Sequence, residues 1–246
     1  MTPRGPLLAA AVSLGTAACG ATDPPDPPVC EEPRAAKSNR GLQCGPTLDF
    51  IPINRYEGEI VSVHDREDAV VLINGTCTGT LIAASAGPVV VTAGHCVGLG
   101  DQAVISFNFE DEPDGDPLIT NGTVIEQATE PDYALIRLDV LPAVTPIALT
   151  TRFGDLLAVI QHPRGRPKVI AEGVFLDACN RQLYYADLDT LVGSSGAGVL
   201  DRAGHLVGVH TDGDCTEDGR GSNSGWTAAA IVEASPYLQS ADIADR

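Results

Sequence analysis

Residues 88–97 read PVVVTAGHCV, a run of three valines that ends in small residues, a histidine and a cysteine. An apolar run this short, bounded by proline and glycine, reads as a strand buried on both faces. It delivers His95 to the strand end, where the chain emerges from the core. A histidine in that place is commonly a plain strand-end residue, and Cys96 shifts the balance. Cys77 precedes it by a hairpin's length, so a Cys77–Cys96 bridge would clamp the turn that carries His95. Closing such a loop contributes about 3 kcal/mol in the chain-entropy model and also holds the imidazole in place.

Outward from this run the same texture repeats. Short apolar or alternating stretches (EIVSVH, AVVLI, TGTLIA, AVISFNF, YALIRL, LLAVI, PKVIAEGVF, QLYYADL, GAGVL, HLVGVH) are separated by breakers such as EDEPDGDP and HPRGRP. Evenly spaced short strands with turn signals predict an all-β sandwich or barrel. Only the tail from Trp226, WTAAAIVEASPYLQSADIADR, has a helical look, with Pro236 to interrupt or begin the helix. The 26 glycines, 18 prolines and 4% aromatic residues suit strands and turns better than a helical bundle. The net charge of −18 excludes a nucleic-acid partner, because nothing here would displace counterions from phosphates, and it suits a well-solvated exported protein. The five histidines show no metal-ligand spacing and no Gly-rich phosphate loop is present, so neither a metal nor an organic cofactor is expected.

The N-terminus has its own logic. Residues 1–18 carry one arginine and a short apolar core, which reads as an export signal too short to span a bilayer. Cys19 after small residues resembles the lipobox of bacterial lipoproteins and is the expected acylation site, although Thr16 stands where a bulky aliphatic is usual. Cleavage after Ala18 is the rival. Gly20 is not the aspartate associated with inner-membrane retention, and the expected location is the outer membrane, the periplasm or the exterior. Membrane contact would come only through this anchor. Residues 19–46, Pro-rich and charged, read as a stalk. Seven cysteines, less Cys19, leave six for three disulfides in an oxidising compartment, with 15 possible connectivities.

LVGSSGAGVL, residues 191–200, sets two serines between glycines. By itself this is a turn signal. A serine nucleophile needs a base, and a histidine base needs a carboxylate to set its tautomer. Asp132 in EPDYALIRL, at the start of an apolar strand, is the candidate; a turn aspartate after Pro131 is the plainer alternative. The α/β-hydrolase elbow fails, because Ala197 stands at its second glycine and the order Ser, Asp, His is not met.

The order His95, Asp132, Ser195 is that of the chymotrypsin-like serine proteases. TAGHC is similar to that family's histidine box, DYALIRL to its aspartate strand and GSSGAGV to its serine loop, across residues 56–240. The resemblance implies two packed six-stranded antiparallel β-barrels with a short C-terminal helix. Residues 47–145 would form the barrel that carries His95 and Asp132, and 146–246 the barrel that carries Ser195 and the specificity pocket. It implies a monomeric endopeptidase acting on polypeptides, with Ser195 as nucleophile and the amides of Gly193 and Ser195 as the oxyanion hole. Glycine lets those N–H groups face the developing charge, and losing one donor costs about 3 kcal/mol of transition-state stabilisation.

Two departures matter. Ser194 replaces the aspartate that captures a new N-terminal amine in trypsin, and Gly198 replaces a common proline. The missing acid, with Thr190 and His210 at the offsets that bind a substrate carboxylate, resembles the bacterial glutamyl endopeptidases and implies cleavage after Glu or Asp. Asp189, where trypsin binds Arg and Lys, implies the opposite. An acylated Cys19 could not supply the free amine those enzymes use, and Asp212 and Asp214 would repel an acidic peptide. Cys179 and Cys215 bracket the serine loop and are expected to pair, leaving Cys30 with Cys44. An inactive binding protein that keeps the fold is the competing possibility, favoured if the oxyanion loop is collapsed.

Overall fold

The computed structural model describes residues 43–60, 63–112 and 115–244. Six strands, β2 (Val70–Ile73), β3 (Cys77–Ile82), β4 (Val89–Thr92), β5 (Gln102–Phe107), β6 (Leu118–Thr129) and β7 (Asp132–Leu138), close into a barrel in the order β2-β3-β4-β7-β6-β5. Six more, β8 (Leu156–Gln161), β9 (Val169–Cys179), β10 (Gln182–Ala186), β11 (Gly198–Leu200), β12 (Leu206–Gly213) and β13 (Asn223–Thr227), run β9-β10-β13-β12-β11-β8, and the β8–β9 pairing closes the second barrel. All ladder pairings are antiparallel. The double barrel is the expected fold.

Local chemistry explains the hairpins. Asn74 and Gly75, both with positive φ, are the central residues of the tight turn Ile73–Thr76 in the three-residue connection between β2 and β3, where an Asn-Gly pair matches the strand twist. The Asn74 side chain then accepts the Val104 N–H at 2.9 Å and ties the turn to β5. Asn180 and Arg181, also with positive φ, make a two-residue turn between β9 and β10. Strand β8 is buried on both faces: Leu157 and Val159 fill the interior of the second barrel, while Ala158 and Ile160 join the larger core shared with the first. This is why its sequence is a continuous apolar run rather than an alternating one.

Three expectations are corrected. Strand β1 (Ile51–Pro52) pairs with β9 in the second sheet, so the segment from residue 47 is not part of the first barrel. EIVSVH does not form a strand among its described residues: Val63 opens a short helix, α1 (Val63–Arg66). Cys44 bonds Cys215 across 171 residues, which overturns both Cys179–Cys215 and Cys30–Cys44. Cys179 is disulfide-bonded too, and its partner lies outside the described residues, as do Cys19 and Cys30. The tail forms α2 (Ala228–Ala234), capped by the Thr227 hydroxyl and ended at Ser235, whose extended backbone is what a following proline demands.

Candidate active site

Strand β4 is buried throughout, and Ala93 beyond it is sealed as well, so the chain leaves the core only at the tight turn Gly94–Cys96. His95 sits on that turn with its side chain half exposed. The Cys77–Cys96 disulfide fastens the turn to the start of β3. Asp132 is the first residue of β7, and it reaches His95 twice. Its Oδ1 accepts the His95 backbone N–H at 2.9 Å, and its Oδ2 lies 2.6 Å from the ring Nδ1. The hydrogen bond to Asp132 raises the His95 pKa above its ordinary value, with a further contribution from the charge of Asp212. The second contact leaves Nε2 as the ring's outward nitrogen.

Ser195 comes from the other barrel and is seated by main chain. Its carbonyl accepts the Thr78 N–H at 2.9 Å, and the Cys96 Sγ, beside His95, lies 3.8 Å from the same oxygen. No hydrogen bond joins the Ser195 hydroxyl to the His95 ring among the described residues.

The loop before Ser195 is held open. The Val192 carbonyl accepts the Arg164 N–H at 2.6 Å. Because a trans peptide is planar, the Gly193 N–H then points the opposite way. Neither that N–H nor the Ser195 N–H donates to an acceptor among the described residues. Gly193 has φ +99°, and a Cβ there would lie 2.7 Å from the Arg164 nitrogen, so only glycine fits. Gly196, at φ +88°, is equally confined: its Cβ would meet the Thr92 hydroxyl and the Thr78 carbonyl. Thr78 was not singled out from sequence, yet it organises this loop. Its buried hydroxyl donates to the Gly193 carbonyl at 2.8 Å and accepts the His162 N–H at 3.0 Å. A threonine inside a strand carries no sequence signal for such a task.

His210, on β12, pairs main chain to main chain with the serine loop: its carbonyl accepts the Gly196 N–H and its N–H donates to Ala197, each at 2.8 Å. Its ring is buried with Nδ1 2.5 Å from the Tyr185 hydroxyl. Burial pushes its pKa down to about 3, with His95 acting in the same direction, so the ring is neutral at ordinary pH. Thr190 is buried beside Asp189. Asp189 is not free to meet a substrate cation, because its two oxygens accept the Cys44 N–H at 2.7 Å and the Asp49 N–H at 2.6 Å. Asp212 is exposed and accepts the Thr211 hydroxyl at 2.9 Å. Among the described residues no three His, Cys, Asp or Glu side chains are grouped to hold a metal ion.

The fold has solved counterparts. The serine endoprotease from Yersinia pestis superposes with a TM-score of 0.59 at 17% identity, over 72% of this chain and 65% of that one. The chain thus spans just under two thirds of that protein's length. The MamO protease domain from Magnetospirillum magneticum, in its apo form, superposes with a TM-score of 0.56 at 15% identity, over 69% of this chain and 97% of that domain. No curated protein sequence matches the chain. A family model described as a trypsin-like peptidase domain matches residues 77–209, more than half of the chain and the whole stretch from the Cys77 bridge to Ser195. The chain belongs to the trypsin-like peptidase domain family.

Proposed function

We propose that the protein is a serine endopeptidase that works through His95, Asp132 and Ser195. The observation that carries this is the paired contact of Asp132 with His95, 2.9 Å to the backbone and 2.6 Å to the ring, which leaves Nε2 directed outward as the proton acceptor. Ser195 Oγ attacks the scissile carbonyl carbon as its proton passes to His95 Nε2, and Asp132 steadies the imidazolium. The oxyanion is received by the N–H groups of Gly193 and Ser195. The C–N bond then breaks, the leaving amine takes the proton from His95, and water hydrolyses the acyl-enzyme by the same route in reverse. An open Gly193 amide argues against the inactive binding protein, whose mark would be a collapsed loop.

The preferred residue before the cut is Glu or Asp. Asp189 has both oxygens engaged, which removes the feature that favoured Arg or Lys. His210, neutral and buried, is a donor that a substrate carboxylate would favour without a standing charge to desolvate. The exposed Asp212 works against that preference, and we assign it to the neighbouring substrate positions rather than to the pocket floor. The signal at residues 1–18 and Cys19 suit an exported, lipid-anchored form. No helix among the described residues is long and apolar enough to cross a membrane.

The test is digestion of a diverse peptide library by the oxidised full-length protein, with Ser195→Ala as reference and mass spectrometry as readout. Cuts after Glu and Asp that vanish in Ser195→Ala, and whose preference relaxes in His210→Gln, are expected. Cuts after Arg or Lys would overturn the pocket assignment, and cuts that survive in Ser195→Ala, or none at all, would overturn the peptidase itself.

A further inference from the structure

The acid at position 189 has an unusual occupation. It is buried, and its oxygens are divided: Oδ1 takes the Cys44 N–H and Oδ2 the Asp49 N–H, so one carboxylate grips both ends of the loop between them. Bonds from backbone amides to an ionised carboxylate are among the stronger hydrogen bonds. The same loop is tied to the opposite side of the pocket region. Gly45 N–H donates to the Thr216 carbonyl at 3.1 Å, and Cys44 is bonded to Cys215. Asn223 completes the link, donating to the Leu188 carbonyl at 2.7 Å while its amide lies 3.3 Å from Cys44 Sγ.

The serine loop is thereby held from several directions. Leu188 is held by Asn223, and the Asp189 carbonyl accepts the Gln161 side chain at 2.8 Å. Further on, the Leu191 N–H donates to the Ser194 hydroxyl at 3.0 Å, and the Ser194 N–H returns to the Leu191 carbonyl at 2.9 Å. Among the described residues, the contacts that tie residues 44–49 to the pocket region use main-chain amides or the Cys44 sulfur.

We propose that Asp189 is a positioning residue that docks residues 43–49 as a structural part of the specificity pocket, setting the pocket's shape through the N-terminal segment rather than by touching substrate. The docking stands on the contacts above; its effect on cleavage rests on the peptidase reading. Two observations connect the dock to the chemistry. Asp189 lies six residues before Ser195 in one continuously held run, and the docked segment is bonded to Cys215, two residues beyond the end of β12, the strand that bears His210.

The test uses the full-length protein with Asp189→Asn, which keeps shape but sets an NH2 against a backbone N–H, and separately with Cys44→Ser/Cys215→Ser, which leaves Asp189 intact. For peptides, kcat/KM should fall about 10-fold to 100-fold in both, equally for every residue before the cut, as small displacements of positioning groups do. Hydrolysis of an acetylglycine ester, which has no side chain to seat, should stay within about threefold of the parent. Hydrogen exchange of the Cys44, Gly45 and Asp49 amides should quicken in Asp189→Asn. Selective loss of cleavage after Arg and Lys would overturn the proposal by making Asp189 a substrate contact. Unchanged exchange at those amides would overturn the dock, and an ester rate that falls with the peptide rate would reduce it to general destabilisation. Should the parent protein cleave nothing, the peptidase reading fails while the exchange measurement still decides the dock.

Discussion

Thr78→Val removes one hydroxyl from a side chain of nearly the same shape, and the consequences can be worked group by group. The Gly193 carbonyl loses its donor at 2.8 Å and the His162 N–H loses its acceptor at 3.0 Å, both in residues that are themselves buried. A buried polar group left unsatisfied costs about 1–3 kcal/mol, so the pair amounts to about 2–6 kcal/mol. For a fold of this size each kcal/mol moves Tm by about 2–4 °C, which predicts a fall of roughly 4–24 °C. The Thr78 N–H still holds the Ser195 carbonyl at 2.9 Å, because that bond is main chain, so the nucleophile stays seated while the Gly193 peptide loosens. A loosened oxyanion donor should lower kcat by about 100-fold, close to outright loss of one donor. KM should stay within about threefold, since the pocket is untouched. Thermal unfolding followed by circular dichroism, together with kcat and KM on one peptide substrate well below the variant's Tm, reads all three quantities. Thr78→Ser keeps the hydroxyl and should recover most of the rate. An undiminished kcat in the valine variant, or a serine variant as slow as valine, would refute the clamp.

Two further outcomes follow from charges. Asp132 raises the pKa of His95, and the base works only when neutral, so the acid limb of kcat/KM should lie above the ordinary histidine value of 6.5. Asp132→Asn should move that limb to lower pH while cutting kcat by about 10⁴-fold, and a limb that stays put would show that another group titrates there. Lys168 is sealed among Glu67, with which it forms a close ion pair, the Glu67 carbonyl at 2.8 Å and Glu110 at 2.7 Å. Lys168→Met strands two buried carboxylates and should cost about 3–5 kcal/mol in urea unfolding, with a loss under about 1 kcal/mol contradicting the cluster's importance.

Strands whose two faces are both dry were legible because nothing polar interrupts them, as in VVVT and LLAVI. Strand β6 was not: Asn121, Thr123 and Glu126 interleave its apolar residues along an outer face that meets solvent or half-buried surroundings, so its polar residues masked it. Strand β13, NSGWT, is short and polar for another reason. Gly225 has no room for a side chain against the Val209 carbonyl, and Asn223 turns inward to hold Leu188. EIVSVH failed in the opposite sense, because apolar content alone does not separate a strand from the entry to a helix.

By itself the sequence determined an all-β chain of short strands and pointed to the pairing of Cys77 with Cys96, which follow from periodicity and spacing and are local properties of the chain. The double barrel, and the parts assigned to His95, Asp132 and Ser195, came from the resemblance of three boxes, in their order, to the chymotrypsin-like proteases. Only the tertiary structure decided that Asp189 grips Cys44 and Asp49, that Cys44 bonds Cys215, and that the Thr78 hydroxyl spans Gly193 and His162. Each of these joins residues more than eighty positions apart, where composition and spacing carry no information. What selects them is which buried donor lacks an acceptor once the barrels have closed, and that question exists only in the folded chain.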